Sequence, residues 1–468
     1  MVLAHLSDRI ARRAGVVLGA LLLFTRVPAV AQTSISIYSD GHVVVRRTVA
    51  RALNKGRNVV SIDPGSSSVD PGLVFSLDSD VTIATVIDRP ATSRADALER
   101  AIGSTLDFVR AKGDTVRATV VRDDPPQYRL PDNRFLLVTP GEPLFPKELI
   151  NSAPTLVITL DAARAKPGAN LAWVTGGVKW SASYQVLLEP GGRASVTGTA
   201  TVESQGFSAE SASVQLVAGA ITRTQPPLRP MAMRVAGAAA LGPVEVGESR
   251  VGDVHVYTLP DPLTIEAGMP VSVALFSSAR TTTVREYVLP GLLPFGGYPV
   301  ALPTEGSGRV PVQVWYTLKH AQGTNFGDRP LPAGTLQAFE RDAMDHVQLI
   351  GEAATQHTAA GTDLRVQTGE AFDVTALKVQ TDFSEQPLGT AQRGQPARRR
   401  VTASYRVTLN NAKPDPVTVD VREVHGGQWI VVTSSIPSEK LSSFEVRFRV
   451  PVPARGEATL TYTVQVDS

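Results

Sequence analysis

The feature that most limits what this chain can become is a short strand-like run that recurs from residue 34 to residue 466. Val43, Val45 and Val49 share one parity, and comparable Val/Thr-rich runs follow along the whole length. Side chains that alternate with period two line one face of a strand, so each run is half-buried and needs a partner strand. The 38 glycines and 34 prolines interrupt these runs and supply the turns. The pattern predicts an all-β protein of multi-domain antiparallel β-sandwiches with a small barrel-like insert. Helix is expected below about 10%, against a usual third.

At about 150 residues per domain, 468 residues make about three domains. An N-terminal β-domain is expected over 32–90, with strands at 34–38, 42–49, 58–62, 73–77 and 81–87. Ser39-Asp40-Gly41 and Asn54-Lys55-Gly56 read as hairpin turns. A small β-barrel-like module follows over 91–150. It opens with a helix at 93–102, capped by Ser93 and Asp96 and stopped by Gly103, and continues with strands at 106–110, 115–121, 128–130 and 135–138. Residues 151–468 form a large β-sandwich region, interrupted by a Pro/Ala/Gly-rich loop at 225–249 and a similar stretch at 291–308. Within it, 271–276 and 282–289 read as two separate strands.

The first residues carry an address. Arg9, Arg12 and Arg13 precede the apolar run 15–24, which is too short to span a bilayer, and Ala29-Val30-Ala31 is a small-x-small cleavage site. This predicts a signal peptide over 1–31, a mature N-terminus at Gln32, and periplasmic or secreted localisation. Arg12-Arg13 leaves twin-arginine export open beside the general route. The 46 basic and 44 acidic residues nearly cancel, and four of the arginines lie in this leader, which argues against nucleic acid as a partner. Zero cysteines exclude disulfides, thiolate metal sites and a lipidated N-terminal cysteine. No later run reaches the length of a transmembrane helix, and 6% aromatics is too few for the girdles of a membrane barrel. A soluble exported protein without a transmembrane anchor is therefore expected.

Several runs are recognisable: 171–184 (LAWVTGGVKWSASY), 202–206 (VESQG), 214–219 (VQLVAG), 325–335 (NFGDRPLPAGT) and 369–373 (GEAFD). Over 155–466 the chain resembles an uncharacterised bacterial domain-of-unknown-function family, loosely labelled mucoidy-inhibitor-like. Residues 39–86 look like the β-domain that often precedes it. It departs from the family pattern at Ser204, where Asn is usual, and at 209–211, which lacks the acidic and aromatic character seen there. The resemblance implies a β fold and a cell-envelope address, and it brings no catalytic residues. The bland reading of the same positions is structural: Trp180 and Tyr184, an even spacing apart, as core aromatics; Gly206, Gly219 and Gly334 as turns needing positive φ; Pro332 as a turn into the next strand.

The chain contains none of the nucleophile-elbow, zincin, P-loop or dinucleotide-binding motifs. His5, His42, His255, His320, His346, His357 and His425 are dispersed, so no metal or other cofactor is expected. Glu340, Asp342, Asp345 and His346 make the densest polar group, either paired carboxylates beside an imidazole or a solvated hairpin tip. Asp78 and Asp80, and Asp123 and Asp124, offer oxygens that suit calcium but also suit turns. Arg398, Arg399 and Arg400 suit an anionic envelope polymer, or equally a charged strand edge that resists aggregation. Two functions remain: a non-catalytic binding or assembly module of the envelope, with an envelope protein or polymer as partner, and a hydrolase of envelope polysaccharide or peptide using the 340–346 cluster. No catalytic, cofactor or metal residue is assigned, and the binding residues stay open.

Overall fold

The computed structural model describes residues 33–67, 69–219, 247–291, 299–301, 308–389 and 398–467. The expected leader 1–31, nearly all of the 225–249 loop and most of 291–308 lie outside these residues. The protein is 64% strand and 3% helix, in several multistranded, mainly antiparallel sheets. The all-β expectation holds.

The first strands are β1 Thr33–Tyr38, β2 His42–Val49, β3 Gly56–Ile62, β4 Val74–Ser76 and β5 Val81–Arg89. Helix α1, Arg94–Arg100, leads into β6 Thr105–Val109, β7 Thr115–Arg122, β8 Gln127–Arg129, β9 Phe135–Leu136 and β10 Glu142–Leu144. Next come β11 Thr155–Ala162, β12 Ala169–Gly176, β13 Val178–Glu189, β14 Arg193–Ser204, β15 Ala209–Ala218, β16 Gly247–Val251, β17 Val254–Thr258, β18 Leu263–Ile265 and β19 Val271–Leu289. The remainder is β20 Arg309–Leu318, β21 Gly334–Arg341, β22 Val347–Thr355, β23 Leu364–Pro387, β24 Arg399–Asn411, β25 Val417–Val424, β26 Gln428–Ser434, β27 Ser438–Lys440, β28 Glu445–Val452 and β29 Gly456–Asp467.

The N-terminal strands do not close on themselves. β1 lies between β2 and β15, with which it pairs in parallel; β2 pairs β12; β3 and β5 flank β11. Turn 39–41 makes the expected hairpin, whereas the turn at Asn54-Lys55-Gly56 sends β3 into a different, three-stranded sheet. Residues 33–89 and 155–218 are thus one unit in space, and the segment 91–150 is inserted into it. The insertion leaves and returns through a clamp: Thr92 N donates to Asn151 O at 2.9 Å, and the Asn151 amide donates to Arg89 O and Pro90 O at 2.8 and 3.0 Å.

That insert carries the expected helix, and Ser93 and Asp96 form the reciprocal capping box read from their spacing. Its strands form an open five-stranded sheet in the order β10-β6-β7-β8-β9, with a core of its own around Phe108 and Tyr128. No barrel closes among the described residues, which corrects the barrel-like expectation. The end strands β9 and β10 are two and three residues long, too short to curl round and pair.

Two larger cores remain. The first is packed from the eight-stranded sheet (Ile35, Val45, Trp173, Leu216), the three-stranded sheet (Val60, Ile158) and part of the thirteen-stranded sheet (Trp180, Tyr184, Val202). Trp180 and Tyr184 are buried on one face, as their spacing predicts, and satisfy their polar ends on Val217 O at 3.2 Å and Pro332 O at 2.7 Å. The second core is the C-terminal sandwich, from Tyr287 to Val466. Three strands belong to both. On β19, Leu275 and Phe276 enter the first core and Tyr287 and Leu289 the second; on β20, Tyr316 and Leu318 face the first and Val310 and Val312 the second; on β23, Leu364 and Val366 face the first and Val374 and Ala376 the second. The two strands expected at 271–276 and 282–289 are therefore one. β23, at about 3.3 Å per residue, runs roughly 80 Å. Among the described residues these three strands run from one core into the other, so moving one core against the other breaks ladder hydrogen bonds in β19, β20 and β23.

Of the glycines, Gly206 and Gly219 have φ of +88° and +122°, as turns require. Gly334 does not. A Cβ there would stand 2.2 Å from the Ala182 carbonyl oxygen, so this glycine serves the close parallel approach of β21 to β13. Ser204, where the chain departs from the family pattern, accepts from Phe207 N at 3.2 Å and donates to Phe207 O, closing the turn by itself.

Candidate functional site

The junction of the two cores is where the ladder is most irregular. On β20, Pro311 faces Thr375 and Gln313 faces Glu370, so a two-residue step on β20 is matched by five residues on β23. Pro311 has no N–H to give to the ladder, and the surplus residues of β23 form an enlarged bulge. Val374 returns to the core, while Phe372 at the crest is 95% exposed, the most exposed of the large apolar side chains described. The arch is anchored: Ala412 N donates to Asp373 O at 2.8 Å, and Lys413 stands 4.0 Å from the Asp373 carboxylate.

Beneath Phe372 lies a cleft of about 260 Å³, lined among others by Arg285, Tyr316, Glu340, Glu370 and Lys413. Arg285 lies 5.1 Å over the Tyr316 ring, donates to its hydroxyl and pairs with Glu340 at 3.1 Å. Burial raises the Tyr316 pKa, an effect Arg285 partly opposes, so the hydroxyl stays neutral and accepts. Glu370 has no ion-pair partner among the described residues. The junction thus presents an exposed aromatic and an open carboxylate on an anchored arch, above a cleft that holds a braced arginine of β19.

The 340–346 cluster divides. Glu340, the last residue but one of β21, lines this cleft, whereas Asp342, Asp345 and His346 form the exposed tip of the β21–β22 hairpin. Asp342 accepts from the His346 and Met344 amides, both at 2.9 Å, and these bonds hold its carboxyl below the usual range. Asp345 adopts φ +66° and pairs with Arg341 at 3.2 Å. The tip carries turn chemistry, with its carboxylates spent on the backbone and on Arg341. Glu340, half-exposed and ion-paired, lacks the apolar pocket that prepares a general acid.

The other candidates are engaged elsewhere. Lys166 bridges Asp78 and Asp80 at 3.1 and 2.8 Å, filling with an ammonium the place between the two acids. Burial raises the Asp78 pKa, but hydrogen bonds from Asn170 and Lys166 outweigh it and the net shift is downward. Asp123 and Asp124 lie in the β7–β8 turn. Arg399 pairs with Glu385 at 3.0 Å and Arg400 holds Asp467 through two bonds of 2.8 and 2.7 Å, so most of the basic run is neutralised at the start of β24, which lies between β23 and β29 and is not the charged sheet edge expected. His42, His255 and His357 each meet a nearby group, respectively Asp40, Glu248 and the Ala333 amide; His320 and His425 are buried; His5 lies outside the described residues. Among the described residues no three His, Asp or Glu side chains cluster as a metal site, and no helix is long and apolar enough to cross a membrane.

Inside the second core, Lys378 sits over the Tyr405 ring at 4.7 Å and gives both Glu423 oxygens a bond, at 2.7 and 2.8 Å; the two side chains are 13% and 5% exposed. His425 packs nearby against Trp429, with ring centroids 5.5 Å apart. Burial lowers the His425 pKa; Glu423 pulls it up and Lys378 pushes it down. The unfolded chain therefore binds this proton at higher pH than the fold does. The stabilising contribution of neutral His425 is complete above about pH 6.5 and is lost as pH falls from there toward the folded value. Relative to His425→Gln, the melting temperature of the wild-type protein should fall below pH 6.5; parallel curves would show that His425 is not held neutral.

No protein-family model and no curated protein matches this chain.

Proposed function

We propose that the protein is an exported, non-catalytic binding or assembly module of the bacterial cell envelope, and that it engages an envelope protein or polymer through the bulge at the junction of its two cores. The export half of this reading rests on the leader-like residues 1–31 and on the family resemblance. The observation that carries the binding half is Phe372: an almost fully exposed aromatic on an anchored arch costs solvation without stabilising the fold, and large aromatics in fixed positions are the side chains that anchor interfaces. The open Glu370 beside it suits a partner that offers an apolar group flanked by a cation.

Co-sedimentation of the purified protein with isolated envelopes tests this. Phe372→Ser should weaken binding about tenfold or more, as loss of an interface anchor does. Asp342→Asn, Asp345→Asn and His346→Ala should bind as wild type. Equal binding by Phe372→Ser would remove the junction from the account, and release of glycan or peptide fragments that stops with Glu340→Gln would replace binding by hydrolysis.

A further inference from the structure

We infer that a second recess, at the turn end of the β13–β14 hairpin, is a binding site for a phosphate group carried on a sugar-sized molecule. It lies away from the junction and does not rest on the reading of Phe372. The β13–β14 turn uses Gly191 and Gly192, both with positive φ, and β14 opens with Arg193. Across the ladder Arg193 faces Thr282 and Ser195 faces Arg280. Alternation along each strand places Arg193 and Ser195 on one side and Arg280 and Thr282 on that same side, so the two arginines are diagonal neighbours on one face. Lys319 joins them, because its backbone N–H donates to Thr282 O at 2.9 Å. The recess so formed measures about 510 Å³, within the range of small-molecule pockets.

Its charges do not cancel. Glu189 stands 4.0 Å from Arg193, and Asp363 pairs with Lys319 at 2.5 Å. Arg280 makes no ion pair among the described residues, which leaves three cations against two carboxylates. The Arg280 guanidinium, with Arg193 diagonal to it on the sheet and Lys319 lining the same recess, suits the several oxygens of a phosphate. The remaining volume, edged by the threonines 281, 282 and 324, leaves room for a hydroxylated carrier.

Calorimetry on the full-length mature protein at low ionic strength tests the assignment. The probes are glucose 1-phosphate, glucose, glucuronate and lipopolysaccharide before and after enzymatic dephosphorylation. Saturable binding of glucose 1-phosphate or of the phosphorylated lipopolysaccharide is expected, with none for glucose or for the dephosphorylated form. Binding of the soluble ester alone would assign the recess to a free sugar phosphate; binding of the polymer as well would assign it to an envelope glycan. Arg280→Gln should weaken binding about tenfold or more, since charge-assisted hydrogen bonds are lost, while Arg57→Gln on another exposed arginine leaves it unchanged. Arg280 is exposed, so the melting temperature should not move. No saturable binding of either phosphorylated probe, equal affinity in Arg280→Gln, or tighter binding of glucuronate would overturn the proposal.

Discussion

A chain that lacks residues 33–89 is expected to lose its first core outright. Eleven side chains of that segment, from Ile35 to Val81, are buried in the core they share with 155–366. Each contributes roughly 1.5–3 kcal/mol on burial, against a whole-domain stability of about 5–15 kcal/mol. The deletion also strips β11 and β12 of both neighbours and exposes one edge of β15. The truncated protein should be insoluble, or show no cooperative transition for this core. Proteolysis should leave at most the C-terminal sandwich, none of whose core residues comes from 33–89. A soluble truncation that melts like the parent would mean that the N-terminal strands are a separable module after all.

The second large effect is inside the sandwich. Lys378→Met leaves the Glu423 carboxylate buried beside Tyr405 without its ammonium, which should cost about 3–5 kcal/mol. Replacing both, as Lys378→Met with Glu423→Leu, removes the stranded charge and should recover most of that loss, because the pair itself repays little beyond its own desolvation. Chemical denaturation of the three proteins measures this. A single substitution that costs less than about 1 kcal/mol would show that water reaches Glu423 and that the pair behaves as a surface one.

The strands were legible because alternation is a local signal: Val43, Val45, Trp180 and Tyr184 each declare a face within a few residues. The capping box at Ser93 and Asp96 was legible for the same reason. Partnership was not. Nothing in 34–87 announces that β1 will lie against β15 nearly 180 positions later, so a segment with the look of a small domain proved to be half of one. The join of 271–276 to 282–289 was hidden by Ser277, Ser278 and Arg280, which read as a break until the strand is seen to pass from one core to the other. Strand number alone does not close a sheet, so the short strands of 91–150 stay open.

The surfaces follow the same division. The polar density of 340–346 drew attention as chemistry, yet a tight turn concentrates the same residue types. Phe372 was visible within Gly369-Glu370-Ala371-Phe372-Asp373 only as part of a resemblance; its exposure depends on Pro311, some sixty residues earlier, which interrupts the ladder opposite. Arg193, Arg280 and Lys319 are far apart in the chain and meet only through the β14–β19 register and the start of the turn after β20.

The central claim, that the protein acts by contact at the junction, is tested most directly by a photo-crosslinking residue placed at position 372 of the full-length protein in its own cells. Positions 59 and 344, both exposed and apolar but outside the junction, serve as controls. Irradiation should give discrete high-mass adducts from position 372 that disappear when Glu370 is changed to Lys, and none of comparable yield from the controls. Adducts of equal yield from all three positions, or none from 372 while a control gives them, would contradict it.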